Sequence, residues 1–282
     1  MNKIENQTYN EERALFSIKD TEVNNCVFEG GESPLKESKN INVFKCTFKW
    51  KYPMWYATDV YVKDSQLLET ARSGIWYTKN IKMVNCLIDV PKTFRRAENI
   101  VLEHVNMPQA KETMWSCKKI RLSNVKIDGD YFGMNSEDIE IDNMELDGNY
   151  AFDGAKNITI KNSILRSKDS FWNTENVTVV NCTIIGEYIG WNSKNMKFIN
   201  CHFESHQGFC YIDDLKIIHS ELVNSDLCFE YCSNLDVDIL TEIDSVINPY
   251  SGIIRAESIK KLILDDKYID KSKTIIQVKK NG

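Results

Sequence analysis

The chain repeats itself about every 19 residues, and this period restricts the fold more than any other feature of the sequence. Each repeat opens on an apolar residue, from which we count positions within the repeat as position 0. The openings recur at intervals of 19 to 21 residues, at Ile41, Val60, Ile81, Ile100, Ile120, Ile139, Ile158, Val177, Met196, Leu215 and Leu235. Periods of this length are typical of solenoids, in which one structural unit stacks on the next.

Within each repeat the pattern is that of short β-strands. Position +2 is apolar from Val43 to Ile217, and position +7 is apolar from Phe48 to Leu222. The alternation of positions 0 and +2, and again of +5 and +7, has the period of two that a strand imposes on its side chains. No repeat contains the roughly ten residues of 3.6-residue periodicity that an amphipathic helix needs. The pattern therefore indicates strands with no helices between them.

The sequence predicts an all-β fold, a single-stranded right-handed parallel β-helix of about 11–12 coils of 19–21 residues. The left-handed form is disfavoured because its hexapeptide rhythm gives roughly 18 residues per coil. We expect one structural domain with an N-terminal cap over residues 1–20, the β-helix over 21–240, and C-terminal cap strands over 241–282.

Two polar columns support the stacking of the repeats. Position +4 holds Asn85, Asn124, Asn143, Asn162, Asn181 and Asn200, with Asn25 in a looser first repeat. Asparagine tolerates the left-handed backbone of a sharp turn, and identical amides about 4.8 Å apart can hydrogen-bond along the column. Position −2 alternates in charge through Lys79, Glu98, Lys118, Glu137, Lys156, Glu175, Lys194 and Asp213. We therefore predict an asparagine ladder and favourable charge pairs between neighbouring coils.

The overall charge argues against a nucleic-acid partner. With 35 Lys and Arg against 41 Asp and Glu, the net charge is −6, which does not provide the broad attraction to phosphate that nucleic-acid binders use. The first residues lack the apolar core of an export signal, and no apolar run is long enough to span a bilayer. We expect a cytoplasmic protein with no membrane partner and with its nine cysteines as thiols.

Four segments carry a resemblance to a known family: "YNEERALF" (9–16), "GESPLKES" (31–38), "DLCFEYC" (226–232) and "IDSVINPYSG" (243–252). Together with the repeat pattern, they resemble an uncharacterised bacterial family catalogued as a domain of unknown function, in the pectin-lyase-like right-handed parallel β-helix class. The resemblance covers nearly the whole chain and implies the fold. It implies no known activity, and so it assigns no catalytic residues.

The cysteines are interpreted as part of the core. Five of them share position +5, namely Cys26, Cys46, Cys86, Cys182 and Cys201. Other repeats place Val, Met or Ser at this position, which is typical of a small core site. The clustered spacings of zinc or iron–sulfur ligands are missing. We expect no cofactor.

Calcium is the one metal alternative. Asp128 and Asp147 each precede a glycine one repeat apart, and stacked carboxylates would repel unless a calcium ion or a raised pKa relieved the repulsion. The first interpretation of both Asp-Gly pairs is turn formation.

The candidate binding face lies at positions −5 and −4. Its proposed substrate-binding residues are Trp55, Tyr56, Trp76, Tyr77, Trp115, Asn135, Trp172, Asn173, Trp191 and Asn192. Aromatic rings can stack on the C–H faces of sugars, and planar polar groups can bind their hydroxyls or carboxylates. The structural alternative is that stacked aromatic side chains only stabilise the sheet or cover a loop.

Two functions follow from this face. The first is a platform that binds, and in one version cleaves, an extended carbohydrate or polyuronate. For cleavage, Asp153 is the candidate acid or base, and Arg95 or Arg96 is the candidate partner of an anion. The second is a non-catalytic platform for a protein partner or for self-association as a homodimer.

Overall fold

The computed structural model describes residues 1–68 and 70–279. The chain forms a parallel β-solenoid of about 15 turns with almost no helix. Residues 1–146 form one compact unit, unit 1, and residues 147–282 form a second, unit 2. The predicted single domain with its cap boundaries stays a prediction, and the last three residues of the predicted C-terminal cap lie outside the described residues.

Unit 1 consists of short parallel strands joined by tight corners. They are β1 (Asn2–Glu5), β2 (Thr8–Tyr9), β3 (Lys19–Asn24), β4 (Val27–Phe28), β5 (Lys39–Phe44), β6 (Thr47–Phe48), β7 (Thr58–Lys63), β8 (Gln66–Leu67), β9 (Ile75–Trp76), β10 (Lys79–Val84), β11 (Leu87–Ile88), β12 (Phe94–Arg95), β13 (Glu98–Glu103), β14 (Asn106–Met107), β15 (Lys118–Asp128) and β16 (Glu137–Asp147). The six-residue strands such as β5 occupy positions −2 to +3, and each pairs in parallel with the equivalent strand of the next coil.

Unit 2 continues the same strand pattern. It contains β17 (Lys156–Lys161), β18 (Ile164–Arg166), β19 (Glu175–Val180), β20 (Thr183–Glu187), β21 (Lys194–Ile199), β22 (His202–His206), β23 (Asp213–Val223), β24 (Leu235–Ile239), β25 (Glu242–Ile247), β26 (Gly252–Ala256), β27 (Ser258–Ile263), β28 (Thr274–Val278) and a short 3₁₀ helix (Lys271–Lys273). None of the described residues belongs to a helix long and apolar enough to cross a membrane.

The predicted parallel β-helix is confirmed, and its right-handed sense is the one that parallel crossover connections adopt almost without exception. The predicted 11–12 coils are too few. At the N-terminus, β1 and β2 pair in parallel with β3 and β4, so the first residues already form a coil. At the C-terminus, β26 pairs in parallel with β24, and β28 pairs with β26. The terminal segments thus supply additional coils.

The core is a stack of apolar side chains at equivalent positions in successive coils. In unit 1, the rings of Phe28 and Phe48 stack with centroids 4.7 Å apart and planes 3° apart. In unit 2, Phe198 lies 5.1 Å from Phe203 and 5.7 Å from Phe209 in edge-to-face contacts. All five side chains are buried. Because strands in adjacent coils pair in register, like residues meet and the core repeats with the coils.

The asparagine ladder at position +4 is confirmed. Asn25 donates to Asn6 at 2.7 Å, Asn143 to Asn124 at 2.6 Å, and Asn200 to Asn181 at 2.9 Å. The ladder residues have φ near +50°, the left-handed region that asparagine tolerates.

A second ladder, not predicted, runs along position −1. Its amide donors and their acceptors are Asn40 to Asp20, Asn80 to Asp59, Asn99 to Asn80, Asn176 to Asn157 and Asn195 to Asn176. These residues also have positive φ, so each coil turns two of its corners with the same chemistry.

The alternating charges at position −2 lie opposite each other in the strand register. Lys156 forms an ion pair with Glu175 at 3.0 Å, Lys118 pairs with Glu137, and the backbone pairs Lys194 with Asp213. Glu98 instead forms its closest ion pair with Lys119, at 2.8 Å. These pairs are exposed, so each contributes at most a few tenths of a kcal/mol and mainly favours the correct register.

The cysteines at position +5 are buried free thiols, as predicted. Each also takes part in hydrogen bonding. The Cys182 thiol donates to the carbonyl of Val180 at 3.2 Å, as the Ser220 hydroxyl does to Ile218 at 2.9 Å. Burial is the main cause that raises the pKa of the Cys46 thiol to about 12. The column therefore accepts Cys or Ser because either one satisfies a carbonyl at the turn.

Candidate functional site

In unit 1, four side chains at position −5 form a continuous stack, which we call the Trp–Arg stack: Trp55, Trp76, Arg95 and Trp115. The indoles of Trp55 and Trp76 lie 5.2 Å apart with planes 8° apart. The Arg95 guanidinium follows, 4.7 Å from the Trp76 ring and 4.6 Å from the Trp115 ring. Parallel pairing of β9 with β12 and a bridge from Arg95 to Trp115 fix this order.

The tryptophans of the stack are tied into the backbone by their indole N–H groups. Trp76 donates to the carbonyl of Lys92 at 2.8 Å, and Trp115 donates to the carbonyl of Tyr131 at 2.7 Å. Trp55 makes the same bond to Ser73, and in unit 2 Trp172 makes it to Tyr188 at 2.8 Å. In all four cases the acceptor lies at position −8 of the following coil.

This geometry separates the aromatic rings by role. In unit 1, the neighbouring coils cover the ring faces within the Trp–Arg stack, and the tryptophan side chains are half-buried. Their polar atoms are also occupied by backbone carbonyls. The half-buried parts that remain accessible are not available for face-to-face stacking with a sugar.

Position −4 of the same coils is the exposed part of the predicted face. Tyr56 is 48% exposed and stacks on Tyr77, with ring centroids 4.7 Å apart and planes 5° apart. The Arg96 guanidinium lies 6.0 Å from the Tyr77 ring. Asn135 is exposed at the same position two coils further on. We call Tyr56, Tyr77 and Arg96 the corner row.

In unit 2, an aromatic row runs through Trp172, Trp191, Tyr211, Tyr231 and Tyr250. Its rings are tilted: Trp172 and Trp191 meet at 45°, Trp191 and Tyr211 at 69°, and Tyr211 and Tyr231 at 46°. Tyr211 is 46% exposed and Tyr250 is 43% exposed. Unlike the flush stack in unit 1, tilted rings leave part of their faces open.

Trp191 differs from the other four tryptophans at position −5. Among the described residues, its indole N–H has no hydrogen-bond partner, and it is not among the buried unpartnered polar atoms. The equivalent carbonyl in the following coil belongs to Gln207, which accepts from the Cys210 thiol at 3.3 Å instead. The N–H of Trp191 is therefore open to a ligand.

The polar candidates beside this row belong to a third short ladder. Asn192 donates to Asn173 at 2.8 Å, and Asn173 donates to the Asp153 carboxylate at 2.9 Å. Asp153, the candidate acid or base, thus serves as a ladder acceptor, and its catalytic role stays a prediction.

The calcium alternative also stays a prediction. Asp147 forms an ion pair with Arg166 at 3.2 Å, and the backbone carbonyl of Asp128 accepts from Ala110. Among the residues that the structure describes, no group of three or more His, Cys, Asp or Glu side chains could hold a metal ion.

The C-terminal segment closes on the aromatic row through Tyr231. Its hydroxyl donates to the Asp266 carboxylate at 2.8 Å, and this hydrogen bond is the main cause that raises the pKa of Tyr231 to about 12. Asn248 holds the same segment through its bonds to Asp265.

The Tyr231 contact predicts a pH dependence. Because the pKa in the folded protein exceeds the ordinary value near 10, the contact stabilises fully below pH 10 and is lost as the pH rises through about 12. A spectroscopic titration of phenolate absorbance, wild type minus Tyr231→Phe, should show one group ionising near pH 12. A difference that titrates near pH 10 would contradict the contact.

The sequence matches the family described as Protein of unknown function (DUF3737) over residues 2–277. The chain belongs to this family. The match confirms the resemblance to an uncharacterised family of β-helix proteins. No curated protein matches the sequence.

Several solved structures are similar in architecture. The surface adhesin PfbA of Streptococcus pneumoniae has a TM-score of 0.47 at 7% identity, covering 89% of this chain and 84% of that one. The mannuronan C-5 epimerase A-module of Azotobacter vinelandii has a TM-score of 0.43 at 9% identity, with coverages of 77% and 86%. The tailspike of E. coli bacteriophage HK620, solved with a hexasaccharide, has a TM-score of 0.36 at 11% identity, with coverages of 88% and 60%. At these values the likeness is one of general architecture.

Proposed function

We propose that the protein binds a carbohydrate on the aromatic row of unit 2. The observation that carries the proposal is the open indole N–H of Trp191 beside the exposed, tilted ring of Tyr211. A sugar ring offers C–H faces to the aromatic rings and hydroxyls to the N–H. The other tryptophans at position −5 keep their N–H groups in the backbone and lack this combination.

The surroundings of the row favour an uncharged saccharide. The carboxylate of Glu230 contributes, after burial, to raising the pKa of Tyr211, and Asp266 accepts from Tyr231. An acidic sugar would meet like charges here. The hydroxyls of Tyr211 and Tyr250 have no hydrogen-bond partner among the described residues, so both can bind sugar hydroxyls.

The row extends over successive coils, which suits an extended chain of sugars. Ring centroids follow at 5.0 Å from Trp172 to Trp191, 6.1 Å to Tyr211, 5.2 Å to Tyr231 and 5.3 Å to Tyr250. The proposal concerns binding. Cleavage by Asp153 remains the prediction made from the sequence.

A matched pair of variants tests the proposal. Trp191→Phe keeps an aromatic ring and removes an N–H that bonds to no described residue, so binding should weaken by roughly fivefold while stability is unchanged. Trp172→Phe removes an N–H that bonds to Tyr188, so it should lower the free energy of unfolding by about 1 kcal/mol and leave affinity unchanged. Affinity electrophoresis in gels containing neutral polysaccharides, followed by calorimetry on the best ligand, measures binding.

Tyr211→Asn extends the test, because asparagine occupies the same corner position in Asn173 and Asn192 with similar φ. We expect affinity to fall roughly tenfold. Tyr268→Asn is the control, since Tyr268 is 79% exposed and lies outside the row. If no polysaccharide binds and Tyr211→Asn abolishes a concentration-dependent dimer instead, the row is a self-association surface and the proposal is wrong.

A further inference from the structure

The Trp–Arg stack and the corner row of unit 1 together present an excess of positive charge. Arg95 and Arg96 are adjacent in sequence and occupy positions −5 and −4 of one coil. Lys92 lies in the same coil, and Glu112 is the carboxylate that pairs with this group. Glu112 is 3.0 Å from the Lys92 ammonium but 4.0 Å from the Arg95 guanidinium. Most of the pairing capacity of Glu112 is therefore used by the lysine.

Arg95 is held rigidly but bonded poorly. Its guanidinium is clamped between the indoles of Trp76 and Trp115, its side chain is 25% exposed, and its Nε–H is buried without a hydrogen-bond partner. A planar guanidinium fixed in this way has already lost its rotamer freedom, so little entropy is lost when it binds an anion. Its N–H donors match the two oxygens of a carboxylate.

Arg96 completes the site at the surface. It is exposed, and no described carboxylate forms an ion pair with it. Its nearest aromatic neighbour is Tyr77, which stacks on Tyr56, and the Lys36 ammonium lies 5.9 Å from the Tyr56 ring at the other end of the pair. The corner row thus has a cation at each end and two phenol rings between them.

We propose that Arg95 and Arg96 bind the carboxylate groups of an acidic polysaccharide, with Tyr56 and Tyr77 contacting the sugar between them. The inference rests on the proposed function for its ligand class, a carbohydrate, and it assigns the acidic sugar to unit 1. A net charge of −6 makes the rest of the surface repel polyanions, so binding depends on this local group of cations.

The substitution that tests the site is Arg96→Asn. Asn135 occupies the same corner position with φ of 54°, and Arg96 has φ of 49°, so asparagine fits the backbone. The matched control is Lys45→Asn, which removes the same charge at position +4, where Asn85 has φ of 52° and Lys45 has 51°. Both variants should fold as the wild type does.

Binding is measured with immobilised polygalacturonate at low ionic strength, with neutral dextran and dextran sulfate as comparison ligands. We expect wild type and Lys45→Asn to bind polygalacturonate, Arg96→Asn to bind it roughly tenfold more weakly, and salt to weaken all three. Equal binding of Arg96→Asn and wild type overturns the site. Equal binding of dextran sulfate and polygalacturonate overturns the assignment to carboxylates.

The two proposals fail separately. Loss of neutral-sugar binding in Trp191→Phe concerns unit 2 and leaves the polygalacturonate result intact. Conversely, if Trp191→Phe weakens polygalacturonate binding as much as Arg96→Asn does, the acidic sugar binds in unit 2 and the assignment to Arg95 and Arg96 is wrong.

Discussion

Trp76→Ala should destabilise the protein by about 3–5 kcal/mol. Trp76 is flanked by Trp55 at 5.2 Å and by the Arg95 guanidinium at 4.7 Å, so its removal leaves a gap in the stack. The carbonyl of Lys92 also loses its indole donor. Urea unfolding followed by far-ultraviolet circular dichroism should show a lower midpoint.

Two controls isolate the role of the Trp76 ring. Trp76→Phe keeps the stacking and removes the N–H, and should cost about 1 kcal/mol. Trp50→Ala removes a tryptophan that lies outside the row and is 37% exposed, and should cost much less than Trp76→Ala. If Trp76→Ala and Trp50→Ala unfold at the same urea concentration, the stack does not contribute to stability. Loss of sugar binding in Trp76→Ala is consequently no proof of direct contact.

Phe198→Ala should have an effect of similar size on unit 2, about 3–5 kcal/mol. Phe198 is fully buried and contacts Phe171 at 6.5 Å, Phe203 at 5.1 Å and Phe209 at 5.7 Å, all edge to face. Its removal opens a cavity that the paired strands cannot close, because their register is fixed by hydrogen bonds to both neighbouring coils.

The control for this position comes from the chain itself. Leucine occupies position +2 in two other coils, as Leu102 and Leu122, so Phe198→Leu should cost less than about 1.5 kcal/mol. Thermal unfolding monitored by circular dichroism compares the two variants. An alanine variant as stable as the leucine variant would show that the phenylalanine cluster is loosely packed.

The architecture could be predicted because a solenoid repeats its physical environment. Every coil presents the same sites to its neighbours, so a column such as position +5 reveals by its composition alone that it is a small buried site. The count of coils was wrong because the spacing changes near the C-terminus. Leu235 pairs with Gly252, and Gly252 pairs with Thr274, which are intervals of 17 and 22 residues that the 19-residue register does not follow.

The site was predicted less completely than the fold. The columns of Trp and Tyr were visible, but ring tilt depends on the exact path of each coil, so the flush Tyr56–Tyr77 pair and the tilted Tyr211–Tyr231 pair could not be distinguished in sequence. Tyr211, Tyr231 and Tyr250 were not among the predicted binding residues. The ladder at position −1 could have been found, since Asn80, Asn99, Asn157, Asn176 and Asn195 directly precede the repeat openings.

The indole-to-carbonyl bonds have a consequence for how this family can evolve. The acceptors belong to Ser73, Lys92, Tyr131 and Tyr188, four residues with different side chains. Because the bond is made to the peptide group, the side chain at that position can drift without any compensating change in the tryptophan. Covariation between aligned relatives would therefore miss these contacts, although they join successive coils throughout the aromatic rows.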